Sequence, residues 1–141
     1  MAYSRVLVVY EQTSAGDRAL LAADLIAERD GSQVTVVSVV QLEQVPRWRT
    51  RWSRGTGIWN DVLIECARTD LERAEQLLEC EARFEVLVGS ERKAVVGAAQ
   101  ERGCDLIIVP APRWRWLTRF HLSRRAAALR RRAPCPVIEP R

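Results

Sequence analysis

A chain of 141 residues with 48 % hydrophobic content is the length and composition of one domain around one core. A disordered chain is excluded. No apolar run reaches about 18 residues, which argues against a membrane-spanning helix. Acidic Glu11 comes too early for a secretory leader, so a cytoplasmic location is expected. The net charge is +4, and of 22 basic residues only Lys93 is a lysine. Eight arginines and no acid lie between Arg113 and Arg132, and four arginines and no acid between Arg47 and Arg54. Acids gather instead from Glu65 to Glu85, a separation that suits an anionic partner. Cys66, Cys80, Cys104 and Cys135 have no metal-ligand spacing and are expected as small buried apolar residues.

Arg5 to Tyr10 is a β-branched run of the kind found in strands buried on both faces. A loop from Glu11 leads into a helix from about Ser14 to Arg29, with Ala19, Leu20, Ala23, Ile26 and Ala27 on its apolar face and Gly31 as its stop. Gln33 to Val40 is a second buried strand. The long connection from Gln41 to Gly57 holds a first Arg-Trp cluster, Arg47, Trp48, Arg49, Arg51, Trp52 and Arg54. A helix is expected from about Ile58 to Glu81, with Val62, Leu63, Cys66, Leu71, Ala74, Leu77 and Leu78 as its inward stripe. Arg83 to Gly89 is a third strand. A helix opening at Ser90 and closing at Gly103 follows. Cys104 to Val109 is the fourth and most hydrophobic strand. Next come Pro110-Ala111-Pro112 and a second cluster, Arg113-Trp114-Arg115-Trp116. A short helix from Arg124 to Ala133 and a short strand from Val137 to Glu139 complete the chain.

The alternation of strand and helix predicts a doubly wound, five-stranded parallel sheet in a Rossmann-like three-layer sandwich, one domain over residues 1–141. All strand carboxyl ends then share one rim, where ligands sit in such folds. Both Arg-Trp clusters fall on that rim.

The chain resembles the universal stress protein family over nearly its whole length. The resemblance rests on "RVLVVYEQTSAGDRALLAADLIA", on "VLVGSERKAVVGAAQERGCDLIIV" and most specifically on the closing "RRAPCPVIEP". It implies a stress-response protein that typically dimerises, often through its last strand. The family's ATP-binding branch carries Gly, two residues, Gly, nine residues, Gly and then Ser or Thr after the fourth strand. Those places hold Pro110, Arg113, Ser123 and Arg124 here. Proline offers no N–H to a phosphate. Glu11 stands where the family has an Asp near the nucleotide. The resemblance therefore implies a member that does not hold ATP in the family manner, needs no cofactor and acts through protein contacts as a homodimer or with a protein partner.

Two alternatives keep an anionic ligand. In one, Arg47 or Arg49 joins Arg113, Arg115 and Arg124 in holding a nucleotide or other phosphate ligand, with Trp48 or Trp114 stacking on a base. Glu11, Val39, Pro110 and Ser123 complete this candidate set. In the other, the Arg-Trp pairs bind an anionic membrane surface or nucleic acid. Against both stands the expectation that Trp114 and Trp116 fill the vacated crevice and leave a basic rim. His121 has no nucleophile at a recognisable spacing, Asp105 reads as a turn residue, and no catalytic or metal set is evident, so no enzyme activity is expected.

Overall fold

The computed structural model describes residues 2–42, 54–112 and 124–140. Five strands, β1 (Arg5–Val9), β2 (Gln33–Val40), β3 (Ala82–Val88), β4 (Leu106–Ile108) and β5 (Val137–Ile138), alternate with four helices, α1 (Ser14–Asp30), α2 (Arg54–Leu77), α3 (Glu91–Arg102) and α4 (Arg124–Arg132). The sheet order is β3-β2-β1-β4-β5, with every pairing parallel. The chain moves outward from β1 through β2 to β3, then crosses back to β4 on the other side. That reversal places a crevice beyond the carboxyl ends of β1 and β4.

Alternation along β1 explains how one sheet carries two cores. Val6, Val8 and Tyr10 join Ala19, Leu20 and Ala23 of α1 with Leu71 and Ala74 of α2. Leu7 and Val9 face the other way, onto Val95, Val96 and Ala99 of α3 with Ala126 and Leu129 of α4. Successive side chains of a strand point to opposite faces, so a strand apolar at every position must be covered on both.

The amino-terminal rim is tied by carboxylates. Asp105 accepts N–H bonds from Ser4 (2.8 Å) and Arg5 (3.0 Å), fixing the entry of β4 beside β1. Asp105 is therefore a clamp on the rim opposite the carboxyl ends of the strands. Asp30 accepts from the Tyr3 N–H at 3.0 Å. Gly31 and Gly103 end α1 and α3 in the left-handed conformation, as the sequence leads one to expect.

The fourth strand is shorter than its apolar run. Its pairing with β1 spans Leu106 to Ile108, and Pro110, lacking an N–H, cannot carry the ladder further. Helix α2 starts earlier and stops earlier than its sequence suggests. Its last helical bond runs from the Leu78 N–H to the Ala74 carbonyl. The next two N–H groups, of Glu79 and Cys80, turn instead to the Asp24 carboxylate of α1 at 3.0–3.2 Å. A carboxylate on a neighbouring helix thus ends α2 without a glycine.

The expected inward stripe of α2 is corrected in part. Ala67, Leu71, Ala74 and Leu78 are buried, whereas Val62, Leu77 and Cys66 are exposed. At about 1.5 Å per residue α2 is roughly 36 Å long, against roughly 23 Å for its neighbour β3. The helix is longer than the strand beside it, and Ile58 and Trp59 near its start are exposed too. Of the other cysteines, Cys104 is buried and Cys80 and Cys135 are half-buried. All four are free thiols.

Candidate functional site

The crevice at the carboxyl rim has a volume of about 260 Å³ and is lined by Val9, Tyr10 and Glu11 of the β1 end, Ser38, Val39 and Gln41 of the β2 end, Asp70 of α2, Glu91 of α3 and Arg125 of α4. Its floor is rigid. Tyr10 is 1 % exposed, and its hydroxyl donates to Asp17 of α1 at 3.0 Å. Burial, then this bond, pushes the Tyr10 phenol above its usual value. Asp17 also meets Arg73 of α2 at 3.5 Å, so three elements are held under the crevice.

The turn from β1 into α1 is set by close backbone approach. Thr13 caps α1, its side chain accepting from the Gly16 N–H at 3.0 Å, and the Thr13 N–H donates to the Glu11 carbonyl at 2.8 Å. Gly16 lies against that same carbonyl. A Cβ at this position would sit 1.8 Å from the Glu11 oxygen. Only glycine fits, and Glu11 is thereby fixed at the mouth of the crevice.

Arg125 dominates the electrostatics. Its guanidinium reaches Glu11 at 2.6 Å through a terminal nitrogen. Its Nε donates to Glu91 at 2.7 Å, and the terminal nitrogen makes a second, shorter bond to the same carboxylate. One side chain thus ties the end of β1, the first turn of α3 and the first turn of α4. Burial works against the Arg125 charge, but Glu91 and then Glu11 outweigh it and raise its pKa. The arrangement follows from helix electrostatics. A cation in the first turn opposes the helix dipole, and α4 has no acid there to offset it. Glu11 and Glu91 supply the missing negative charge from neighbouring elements, and Glu91 is itself favoured in the first turn of α3.

Asp70 is the third carboxylate. Burial, then the proximity of Glu11, raises its pKa. Among the described residues the crevice therefore carries three carboxylates against one guanidinium, and that guanidinium is already engaged by two of them.

Among the residues expected at the site, Glu11 and Val39 come together in the crevice. Pro110 is buried just beyond β4, and Arg124 is exposed; neither lines the crevice. Arg47, Trp48, Arg49, Arg113, Trp114, Arg115 and Ser123 lie outside the described residues, as does His121. Arg125, Glu91, Asp70 and Ser38 escaped the sequence reading. A signal for Arg125 existed: two arginines opening a helix without an acid demand carboxylates from elsewhere, and Glu11 and Glu91 both lie on the carboxyl rim.

Fold and rim define a class, the parallel α/β sandwiches with a crevice on the carboxyl rim of the sheet, here between the ends of β1 and β2. Within that class the assignment is specific. The model of the universal stress protein family matches residues 2–138, and the chain belongs to that family. It is similar in structure to a universal stress protein from Lactobacillus plantarum (19 % identity, TM-score 0.78, covering 100 % of this chain and 99 % of that one). It is also similar to a family member from Burkholderia pseudomallei (23 % identity, TM-score 0.70, 97 % and 95 % covered). A third similar structure is the universal stress protein from Archaeoglobus fulgidus in complex with dAMP (18 % identity, TM-score 0.66, 100 % of both chains covered). At these identities the likeness speaks for the fold. No curated protein matches the chain.

Among the described residues no helix is long and apolar enough to cross a membrane, and no group of side chains could hold a metal ion.

Proposed function

We propose that this universal stress protein is a single-domain, non-enzymatic regulator that does not hold ATP in the family manner and acts through protein contacts. The observation that carries the reading is the Arg125 cluster. Where an anionic ligand would need free donors, the crevice offers a guanidinium already bonded to Glu11 and Glu91, with Asp70 adding further negative charge. Phosphate oxygens brought there would meet like charge in a partly desolvated site. Pro110, at the place of the first cradle glycine, agrees with this.

Self-association as a homodimer is part of the proposal. Among the described residues the outer edge of β5 is unpaired, but it spans only Val137 and Ile138, between two prolines that donate no N–H. A strand pairing there would be short, so side-chain contacts must supply most of any dimer's stability.

Calorimetry with ATP tests the reading. The expected result is no saturable heat into protein purified without nucleotide. Stoichiometric binding at micromolar affinity overturns it. Because one similar structure holds dAMP, dAMP is the natural second titrant, with the same expectation.

A further inference from the structure

The two edges of the sheet differ in what they offer a partner. Among the described residues β3 lies at one end of the strand order and β5 at the other. β5 is two residues between prolines, whereas β3 runs for seven, Ala82–Val88, without a proline. A strand edge presents a row of unpaired N–H and C=O groups, and neither brevity nor proline blunts this one. Its two charges, Arg83 and Glu85, are of opposite sign. The backbone phase along β3 is fixed. The Gly89 N–H donates to the Val40 carbonyl at 2.9 Å, so Gly89 turns its polar groups toward β2. Direction alternates along a strand. Leu87, Glu85 and Arg83 therefore also turn to β2, and Ala82, Phe84, Val86 and Val88 turn their N–H and C=O groups outward. Phe84 and Val86 pack on the α2 side of the sheet, and Val88 is exposed. Arg83 is exposed as well, while the Glu85 carboxylate binds Arg102.

We infer that this edge is the homodimer interface, two copies pairing antiparallel through β3 about a two-fold axis at Phe84. The pairing joins two five-stranded sheets into one. Phase and charge both select that centre. Phe84 meets Phe84 of the partner subunit and Ala82 meets Val86 of the partner subunit, so every outward-turned group from Ala82 to Val86 finds a partner. Arg83 then stands opposite Glu85 of the partner subunit in a non-hydrogen-bonded pair, where side chains are closest, and the two-fold repeats this contact. A centre at Glu85 fails, because it sets Glu85 against itself and presents groups already bonded to β2. A centre at Val86 has the right phase but sets Glu85 against Leu87. Helix α2 comes with the strand. Arg68, Leu71, Glu72 and Glu75 line, with Phe84 and Val86, a cavity of about 450 Å³ beside the edge. The antiparallel partner brings its own α2 flank alongside in the opposite direction, with Arg68 toward the end at which the other flank carries Glu75. Ala82 to Val86 form the amino-terminal part of β3, away from the carboxyl rim where the chain leaves β2 and β4. The inference rests on the homodimer part of the proposed function and gives it a surface.

The test is sedimentation velocity of the full chain over a concentration series. Arg83→Glu, Glu85→Arg and the exposed control Arg92→Glu are compared with the parent, each checked for native circular dichroism. Each of the first two sets like charges opposite one another at both symmetric contacts and should weaken the dimer roughly tenfold or more. Mixed in equal amounts, the two should recover dimer near the parent's affinity, because opposite charges then face each other again at both contacts. Arg92→Glu should leave the dimer unchanged. Glu85→Gln is measured too, since Glu85→Arg also loses the bond to Arg102, and it should weaken the dimer severalfold. A parent that stays monomeric overturns both this inference and the homodimer reading. A dimer indifferent to Arg83→Glu and Glu85→Gln overturns the inference alone. So does equal weakening by Arg92→Glu, and so does a mixture that fails to recover; dimerisation then uses another surface.

Discussion

Alanine at position 16 places a Cβ 1.8 Å from the Glu11 carbonyl oxygen, 2.9 Å from its carbon and 3.2 Å from its nitrogen. All three are backbone atoms, so no side chain can swing aside; the β1–α1 turn itself must move. Overpacking of this kind costs about 1–3 kcal/mol, and a backbone obstacle belongs at the upper end. Alanine's better helix propensity returns up to about 1 kcal/mol, less in a first turn. The net expectation for Gly16→Ala is a loss of about 2 kcal/mol, a melting temperature lower by roughly 6 °C in a chain of this size. Gly97 supplies the matched control. It sits inside α3 and is exposed, with nothing within 4 Å of an added Cβ. Gly97→Ala should therefore gain about 0.5–1 kcal/mol from propensity alone. Urea unfolding followed by circular dichroism reads both. If Gly16→Ala is as stable as the parent while Gly97→Ala behaves as expected, the packing of the turn described above is wrong.

Two further outcomes are expected. Hydrogen bonds from Arg29 and then from the Tyr3 N–H hold the Asp30 carboxyl down to about 2. A carboxyl depressed in the folded state contributes stability that is present above its ordinary value near ~4 and lost as pH falls through the folded value. Melting temperature against pH should accordingly fall less steeply for Asp30→Asn than for the parent between about pH 4 and 2; parallel curves refute this. Among the thiols, burial, with the Asp24 bond second, pushes Cys80 up to about 11, and burial pushes Cys135 up to about 11 and Cys104 upward. Exposed Cys66 should be alkylated first at about pH 8, the others only as the chain unfolds. Mass spectrometry that finds Cys80 or Cys135 modified as fast as Cys66 contradicts the burial described.

Local sequence determined the elements and the fold class. The β-branched runs at β1, β2 and β4, the alanine- and leucine-rich stripe of α1 and the glycine stops at Gly31 and Gly103 are short-range signals. Their alternation leaves little choice but a parallel sheet covered on both faces. Family membership was legible in the stretches from Arg5 to Ala27 and from Val86 to Val109 and in the closing Ala-Pro-Cys-Pro-Val. The limits of α2 were not. They depend on Asp24, a residue of another helix, and on the sheet being shorter than the helix laid over it.

The candidate site divides the same way. Sequence placed Glu11 on the carboxyl rim, because any residue just past a parallel strand must be there. Sequence could not choose between Arg124 and Arg125, adjacent residues on a helix that turns by 100° at each step. Only the packing of α4 against α3 and the end of β1 decides that Arg125 enters the crevice and Arg124 stays exposed. Asp70 and Glu91, distant in the chain, acquire meaning only when tertiary structure brings them to the same cavity. The arginine count of the sequence pointed to an anion site. Tertiary structure makes the described part of the crevice net acidic, because Glu11 and Glu91 both bind one guanidinium and Asp70 adds a third carboxylate.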